Sequence, residues 1–443
     1  MQNKKIIVSL MACVAMLLST TLFAQSTSTK NTYSIYSMYG IGEIASQGTL
    51  SMRSMGGAGL ASRSSASINL LNPASYSIAL SKGILFDIGM EASLITNAQN
   101  SGGEVSKSQY MAANLHNISF QVPVAKGLGL AFSLAPYSTV GYYLNEYDTD
   151  VDTGLITYSY SGSGDITEVK LGLGWNVTKG LSIGVAAQYY WGLLDRYYSV
   201  SILPITTSKT YSTTQGLSSL YISKFKAQFG VQWDAMYKTN QRLTFGATYD
   251  MGGNIAATEE LMVVSGSSSD VASIVGKDAV AYPELNFPHQ YSLGVTYRDR
   301  KWNAALDFTY QDWSGNSSTL TTEGVSVAYE NVGHVKLGLE YVPNRVDSRK
   351  YMKRVAYRVG ARLGNYYQSF GGQSLTQWST TAGIGLPINI FGMSNIDFGV
   401  EYGGLGTMKS VESLNLVRQN YFKFAVGITL FGDDYWFQRI KYD

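Results

Sequence analysis

The sequence predicts an all-β protein: an antiparallel β-barrel of fourteen strands that crosses a membrane. Three observations carry this. From about Lys82 onward the chain runs as about fourteen stretches of alternating apolar and polar residues, joined by connections that are alternately short and long. A strand in lipid must satisfy its backbone on both neighbours and show apolar side chains on one face only, which is the rhythm observed. Charged residues make up 14% of the chain, against roughly 25% in an ordinary soluble protein, so much of the surface need not face water. Past the first two dozen residues no stretch reaches the ~18 uncharged apolar residues of a spanning helix, which leaves strands as the way into a bilayer.

The N-terminus carries Lys4 and Lys5, an apolar run from Ile6 to about Leu18, and Leu22-Phe23-Ala24 before Gln25. These are the parts of a secretory signal peptide, residues 1–24, cut after Ala24. Cys13 is the single cysteine, and Leu10-Met11-Ala12-Cys13 superficially resembles a lipoprotein cleavage site. Its preceding apolar core is too short and continues past the cysteine. The mature chain then has no thiol, which excludes disulfides and cysteine-ligated zinc. A net charge of +2 gives no reason to invoke nucleic acid.

The strands are expected at 83–96, 109–123, 127–144, 154–176, 180–200, 219–237, 242–262, 289–298, 301–313, 325–342, 352–370, 375–388, 394–409 and 418–431. An even count returns both ends to one side. Connections near 124–127, 177–180, 238–241, 299–300, 343–351 and 389–393 are mostly tight and rich in Lys, Arg, Asn and Gly; the others are mostly longer and rich in Ser, Thr and Gly. Short turns belong on the periplasmic side and long loops outside.

Facing follows from the period of two. In the fifth strand Leu181, Ile183, Val185, Ala187, Tyr189 and Trp191 share one face and Ser182, Gly184, Ala186, Gln188 and Tyr190 the other. Elsewhere Trp302, Leu306 and Phe308 oppose Asn303, Asp307 and Gln311, and Val335, Leu337 and Leu339 oppose Lys336, Gly338 and Glu340. Charges fall with the glycines, so that face is the lumen. A soluble sandwich would alternate too, but its outer faces would be charged rather than dominated by Gly, Ser, Thr, Asn and Gln.

Residues 25–81 do not alternate. They hold Ser54-Met55-Gly56-Gly57-Ala58-Gly59-Leu60-Ala61 and then Asn69-Leu70-Leu71-Asn72-Pro73-Ala74-Ser75. Proline pushes the residue before it out of the helical region, asparagine caps helix starts, and proline suits the first helical position. One short helical turn is therefore expected around Ile68 and another from Pro73. Gly-Gly-Ala-Gly followed about fifteen residues later by Asn-Pro-Ala, ahead of fourteen candidate strands, resembles the FadL-like outer-membrane family of long-chain fatty-acid and hydrocarbon transporters.

The resemblance implies a barrel (82–432) plugged by an N-terminal hatch (25–81), with Gly56, Gly57, Ala58, Gly59, Asn72, Pro73 and Ala74 as the hatch motif and a C-terminal tail (433–443) on the periplasmic side. The acidic residue often found upstream of the motif is absent, the neighbourhood being Ser64-Ser65-Ala66-Ser67.

Pro136 sits inside the third strand, where it cannot donate a ladder hydrogen bond. The family is thought to release ligands sideways at a kink in this strand, and Pro136 is a candidate cause; a bulge without a transport role is the plainer reading. Arg358 and Arg362 share the inward parity of strand eleven and could meet Glu340 and Glu43 as a lumen charge latch, or simply pair within a polar interior. His116, His289 and His334 show no ligand spacing, so no metal or cofactor is expected. No nucleophile motif and no phosphate loop is present, which argues against an enzyme. The Tyr435-Trp436-Phe437 cluster beside Arg439 and Lys441 suits either an interfacial anchor or a docking surface.

Two functions fit. The first is passive outer-membrane transport of a hydrophobic small molecule, bound above the hatch and released laterally into outer-membrane lipid, with Tyr33, Ile35, Tyr36, Met38 and Tyr39 lining or plugging the pocket or, the commoner case for such a stretch, simply packing. The second is a non-transporting scaffold or shuttle subunit of a secretion or assembly machine, with a periplasmic or outer-membrane protein partner. An apolar cavity reaching strand three would favour the first, and a lumen filled by hatch and polar side chains the second.

Overall fold

Alternation alone dictates which side chains meet lipid, and the chain obeys it. In the computed structural model Ile183, Val185 and Trp191 are exposed while Ser182, Ala186, Gln188 and Tyr190 are buried. Leu306, Phe308, Leu337 and Leu339 likewise face outward, with Asn303, Asp307 and Glu340 inside. The structure describes residues 31–433 apart from 79–82, 151–152, 206–210, 239, 267–272, 282–284, 317–319, 323–324, 346, 348, 389–393 and 412–413. The expected signal peptide and most of the expected tail lie outside the described residues.

The 14 strands form a closed antiparallel barrel. They are β1 (Gly83–Ser101), β2 (Glu104–Ala125), β3 (Leu128–Asp150), β4 (Gly154–Thr178), β5 (Leu181–Leu203), β6 (Thr213–Tyr237) and β7 (Arg242–Asp250). The second half comprises β8 (His289–Arg298), β9 (Trp302–Asp312), β10 (Val332–Tyr341), β11 (Ala356–Phe370), β12 (Gln373–Ile388), β13 (Ser394–Leu405) and β14 (Val417–Asp433). Neighbours in sequence pair in order, and β1 closes on β14 from Gly83↔Asp433 to Gln99↔Val417. Closure of this kind lets the wall strands find hydrogen-bond partners on both neighbours; among the described residues a gap remains between β2 and β3.

Several expected strands differ in extent: β1, β2, β3 and β6 reach five or six residues further toward the long loops, and others are shorter or interrupted. The seventh stops at Asp250, because the Gly252-Gly253 step, with Gly253 at φ 127°, turns the chain so that Gly253–Asn254 pairs with Asn286–Phe287. That turn delivers Ile255 and Phe287 to the buried core. The chain then resumes as Ala256–Gly266 against the outer part of β6. The tenth is interrupted at Glu330-Asn331, where the Asn331 side chain accepts the backbone N–H of Trp313 at 2.8 Å. The eleventh begins at Ala356, preceded by a 3₁₀ turn at Tyr351–Lys353.

Inside the barrel lie a two-residue strand (Glu43–Ile44), a short helix α1 (Leu50–Arg53) and a 3₁₀ helix (Pro73–Ile78). The last begins at the expected residue. Asn72 caps it, its Oδ1 accepting the N–H of Ala74 at 3.0 Å. No helical turn forms around Ile68. Asn69 instead bends the chain locally, its Oδ1 accepting from Leu71 N at 3.0 Å while its amide donates to the carbonyls of Gly59 and Ser62. Such side-chain bonds compete directly with helix formation.

Candidate functional site

The hatch is seated by size before charge. Around Asn72-Pro73-Ala74 the wall presents Gly174, Gly184 and Gly230, and a Cβ at any of them would collide with the motif. On the opposite wall Gly338 and Gly360 make the same room for Met55 and Gly56. Gly56 is itself left-handed, at φ 71°, and a side chain there would strike the carbonyls of Leu337 and Ala361. Both sequence motifs are thus contact surfaces matched to inward-facing glycines.

Hydrogen bonds then fix the register. Asp307 on β9 accepts the backbone N–H groups of Gly59 at 2.7 Å and Leu60 at 2.8 Å. Thr381 accepts from Gly56 N at 2.8 Å and donates to Ser54 O at 3.0 Å. Gln121, Lys170 and Gln232 donate to the carbonyls of Tyr76, Leu70 and Leu60. Wall side chains supply the partners that an irregular buried segment cannot find in itself.

Ion pairs complete the inner half. Arg53 of the hatch lies 2.5 Å from Glu91 and 3.7 Å from Glu401. Burial by itself would lower its guanidinium, but these two carboxylates hold it above the ordinary arginine value. Arg63 donates to Ser182 at 2.7 Å and pairs with Asp234 at 3.2 Å. Neither arginine was singled out from sequence, although they are the two bases between residues 31 and 81. A base placed in a lumen must find wall carboxylates, and that was the available signal.

Of the expected latch residues, Arg358 does meet Glu340, at 2.9 Å, and also Asp397. All three are wall residues. Arg362 reaches the hatch through Ser46 Oγ at 2.6 Å and pairs with Glu401 at 3.3 Å. Glu43 accepts a bond from Thr32 at 3.3 Å, and no ion pair joins it to either arginine.

The outer half of the lumen is different in kind. Tyr36, Ile41, Tyr137, Tyr190, Phe287, Trp313, Tyr367 and Phe370 belong to one buried apolar cluster contributed by hatch and wall together. Tyr36 packs on Phe370 with ring centroids 5.2 Å apart, and its hydroxyl donates to Val417 O at 2.5 Å. Where the sequence suggested an apolar ligand pocket, Tyr36 and Tyr39 are packing residues.

The gap in the wall lies beside Pro136. β2 and β3 pair only from Ile118↔Leu134 down to Ala125↔Leu128, while β3 continues along β4 to Asp150. Pro136 sits two residues past the last β2 contact, and the β3–β4 register shifts between Pro136 and Ser138. Above it β2 and β3 are separated by a slot. The hatch takes the vacated edge of β3: Glu43↔Thr139 and Ile44↔Ser138 pair as strands, Ala45 N donates to Tyr137 O at 2.9 Å, and Ser34 N to Gly141 O at 2.9 Å. On the β2 side Asn114 donates to Asn31 O at 2.7 Å, and Tyr33 stacks on Tyr110 at 4.5 Å.

Behind the slot is a cavity of about 320 Å³ whose lining runs from Leu115, Leu134 and Pro136 to Arg53, Glu91 and Lys423. His116 faces it and bonds Gly48 O at 2.6 Å. His289 contacts Tyr249. Among the described residues no cluster of His, Cys, Asp and Glu could hold a metal ion.

This geometry defines a closed, internally plugged 14-stranded β-barrel with the fold of the FadL-type channels. Solved structures agree on the fold. A Pseudomonas aeruginosa FadL homologue matches with TM-score 0.62 at 12% identity, covering 90% of this chain and 100% of that chain. The Pseudomonas putida toluene transporter TodX matches with TM-score 0.58 at 14% identity, covering 90% and 100%. The Ralstonia pickettii toluene transporter TbuX matches with TM-score 0.55 at 13% identity, covering 87% and 98%. No curated protein matches significantly. The family model that matches is BamG, over residues 3–443; the chain belongs to the BamG family.

Proposed function

We propose that this protein is a membrane-embedded structural subunit of an outer-membrane protein assembly or secretion complex, a FadL-type barrel that does not conduct along its axis. The observation that carries this reading is the obstructed axis: an apolar cluster in the outer half above an N-terminal segment bonded to the wall by charge in the inner half. Membership of the BamG family supports it, and the likeness to the FadL homologue and the toluene transporters, at 12–14% identity, is one of fold. In this reading the hatch of residues 25–81 serves as an internal brace for the barrel of 82–432, and Arg53, Arg63 and Arg362 latch it. Depleting the protein should lower the folded amount of other outer-membrane barrels and leave uptake of a hydrophobic probe such as toluene unchanged. A fall in uptake with normal barrel levels would overturn the proposal.

A second reading is favoured by the slot at Pro136 with its cavity reaching β3. It is passive lateral delivery of a hydrophobic molecule into the membrane, with the residue 31–45 strap as the gate. Deleting residues 31–34 should then speed uptake of the same probe.

A further inference from the structure

Below the hatch, the short-turn mouth of the barrel holds a second cavity, of about 310 Å³. Its charged lining is Arg298, Arg345, Arg354, Arg358, Glu340 and Asp397. The two acids are fully committed. Glu340 takes Arg358 Nε on one oxygen and Arg345 Nη2 on the other, both at 2.9 Å, and Asp397 takes Arg358 Nη1. Arg298 and Arg354 are left over, without an ion pair among the described residues. Arg298 stands opposite Arg242 in the β7–β8 ladder, so its strand neighbour adds positive charge. Arg354 stacks over the Tyr351 ring at 5.3 Å, and its Nε is buried with no acceptor.

The chain around this mouth deepens the imbalance. The connection from Val342 to Val355 carries Arg345, Arg349, Lys350, Lys353 and Arg354 against Asp347 alone. Ser64 and Ser67 of the hatch border the same cavity and offer hydroxyl donors. Spare guanidinium N–H groups in a partly dry site call for a planar oxyanion, which they can hold through paired bonds. Lipid headgroups stand outside the barrel wall, whereas this cavity lies inside it, beneath Met52, Met55 and Gly59 of the hatch. A protein occupant reaching it axially from the periplasm must present a flexible segment.

We propose that this arginine-lined mouth is a docking site for an acidic, Asp/Glu-rich segment of a periplasmic protein, with Arg298 and Arg354 as the receiving groups and the 342–355 connection as the steering surface. The proposal is independent of whether the barrel transports or braces. It is tested with the full chain in detergent micelles, using a fluorescein-labelled hexaglutamate peptide and reading anisotropy. Folding of each variant is checked by heat-modifiable gel migration.

Binding should weaken as salt rises. The double variant R298E/R354E should lose about tenfold or more in affinity, while R298K/R354K, which keeps the charge without the paired bonds, should lose less than R298E/R354E. The variant K126E, on the exposed β2–β3 turn away from this cavity, should bind nearly as the parent. The proposal is overturned if the folded R298E/R354E protein binds the peptide as tightly as the parent. It is equally overturned if inorganic phosphate displaces the peptide as well as unlabelled hexaglutamate does, since the site would then be a simple anion trap. A third contrary result is unchanged peptide binding with lost retention of phosphatidylglycerol in nanodiscs, which would make the arginines a lipid site.

Discussion

The two halves of the lumen are closed by opposite physics. In the outer half a cluster around Tyr36, Ile41, Phe287, Trp313 and Phe370 seals the barrel by apolar packing, which is non-directional and tolerant of small shifts. In the inner half the seal is polar: Arg53 between Glu91 and Glu401, Asp307 on two hatch N–H groups, Arg63 on Asp234. Such contacts are directional and costly to half-break. The outer half therefore tolerates small shifts of its side chains, and the inner half fixes the register of the N-terminal segment against the wall. The slot beside Pro136 joins the two, since its cavity has apolar wall residues at one end and Arg53 and Glu91 at the other.

Substitutions break this comparison in a definite order. Arg53→Ala should be the most damaging, about 3–5 kcal/mol, because it leaves Glu91 and Glu401 buried with less compensation. Hydrogen exchange across residues 46–62 should show it, with lost protection there and an intact β4–β6 wall. Gly360→Val comes next, on the order of 3 kcal/mol, since its side chain must occupy the space of the Met55-Gly56 backbone. Lowered thermal resistance in a gel-shift assay is the readout, and parental resistance would mean that the glycine seat does not bear the hatch.

Asp307→Ala should cost about 1–3 kcal/mol by stranding the Gly59 and Leu60 amides. Faster exchange confined to those amides would sharpen the picture of a polar inner seal; exchange rates equal to the parent's would contradict it. In the outer half Tyr36→Phe removes the bonds to Val417 O and from Val417 N, a loss of about 1 kcal/mol. Packing persists, so planar-bilayer conductance should stay closed; an open channel would show that the hydroxyl, and not the apolar cluster, makes the seal. Pro136→Ala should have the smallest effect, because the hatch still holds the β3 edge at Tyr137, Ser138, Thr139 and Gly141. If that change alone lets β2 and β3 zip together, seen as new amide protection at residues 110–116, proline is the cause of the slot.

Much of the barrel was legible in the chain because lipid imposes one rule on every strand. Ile183 against Ser182 and Leu306 against Asp307 state it residue by residue. Asn72-Pro73 was legible for a local reason, the paired preferences of a cap and a first helical position. The turn expected at Ile68 failed because Asn69 had two distant carbonyls to serve, at Gly59 and Ser62, which spacing does not reveal. Arg358 with Glu340 could be anticipated from shared inward parity on adjacent strands. Arg362 with Ser46, Arg53 with Glu91 and Asp307 with Gly59 could not, since each joins the wall to an irregular segment whose facing no period fixes.

The sequence by itself therefore determined the strand period, the lipid-facing surface, the even closure and the cap at Asn72-Pro73, because each follows from local spacing and from what water and lipid exclude. Only the tertiary structure decided that the outer lumen is packed shut, that β2 and β3 part above Pro136 with the hatch in the gap, and that Arg298 and Arg354 stand without carboxylates. Those outcomes depend on which distant side chains converge inside the barrel, a matter of closure geometry that a one-dimensional pattern does not encode.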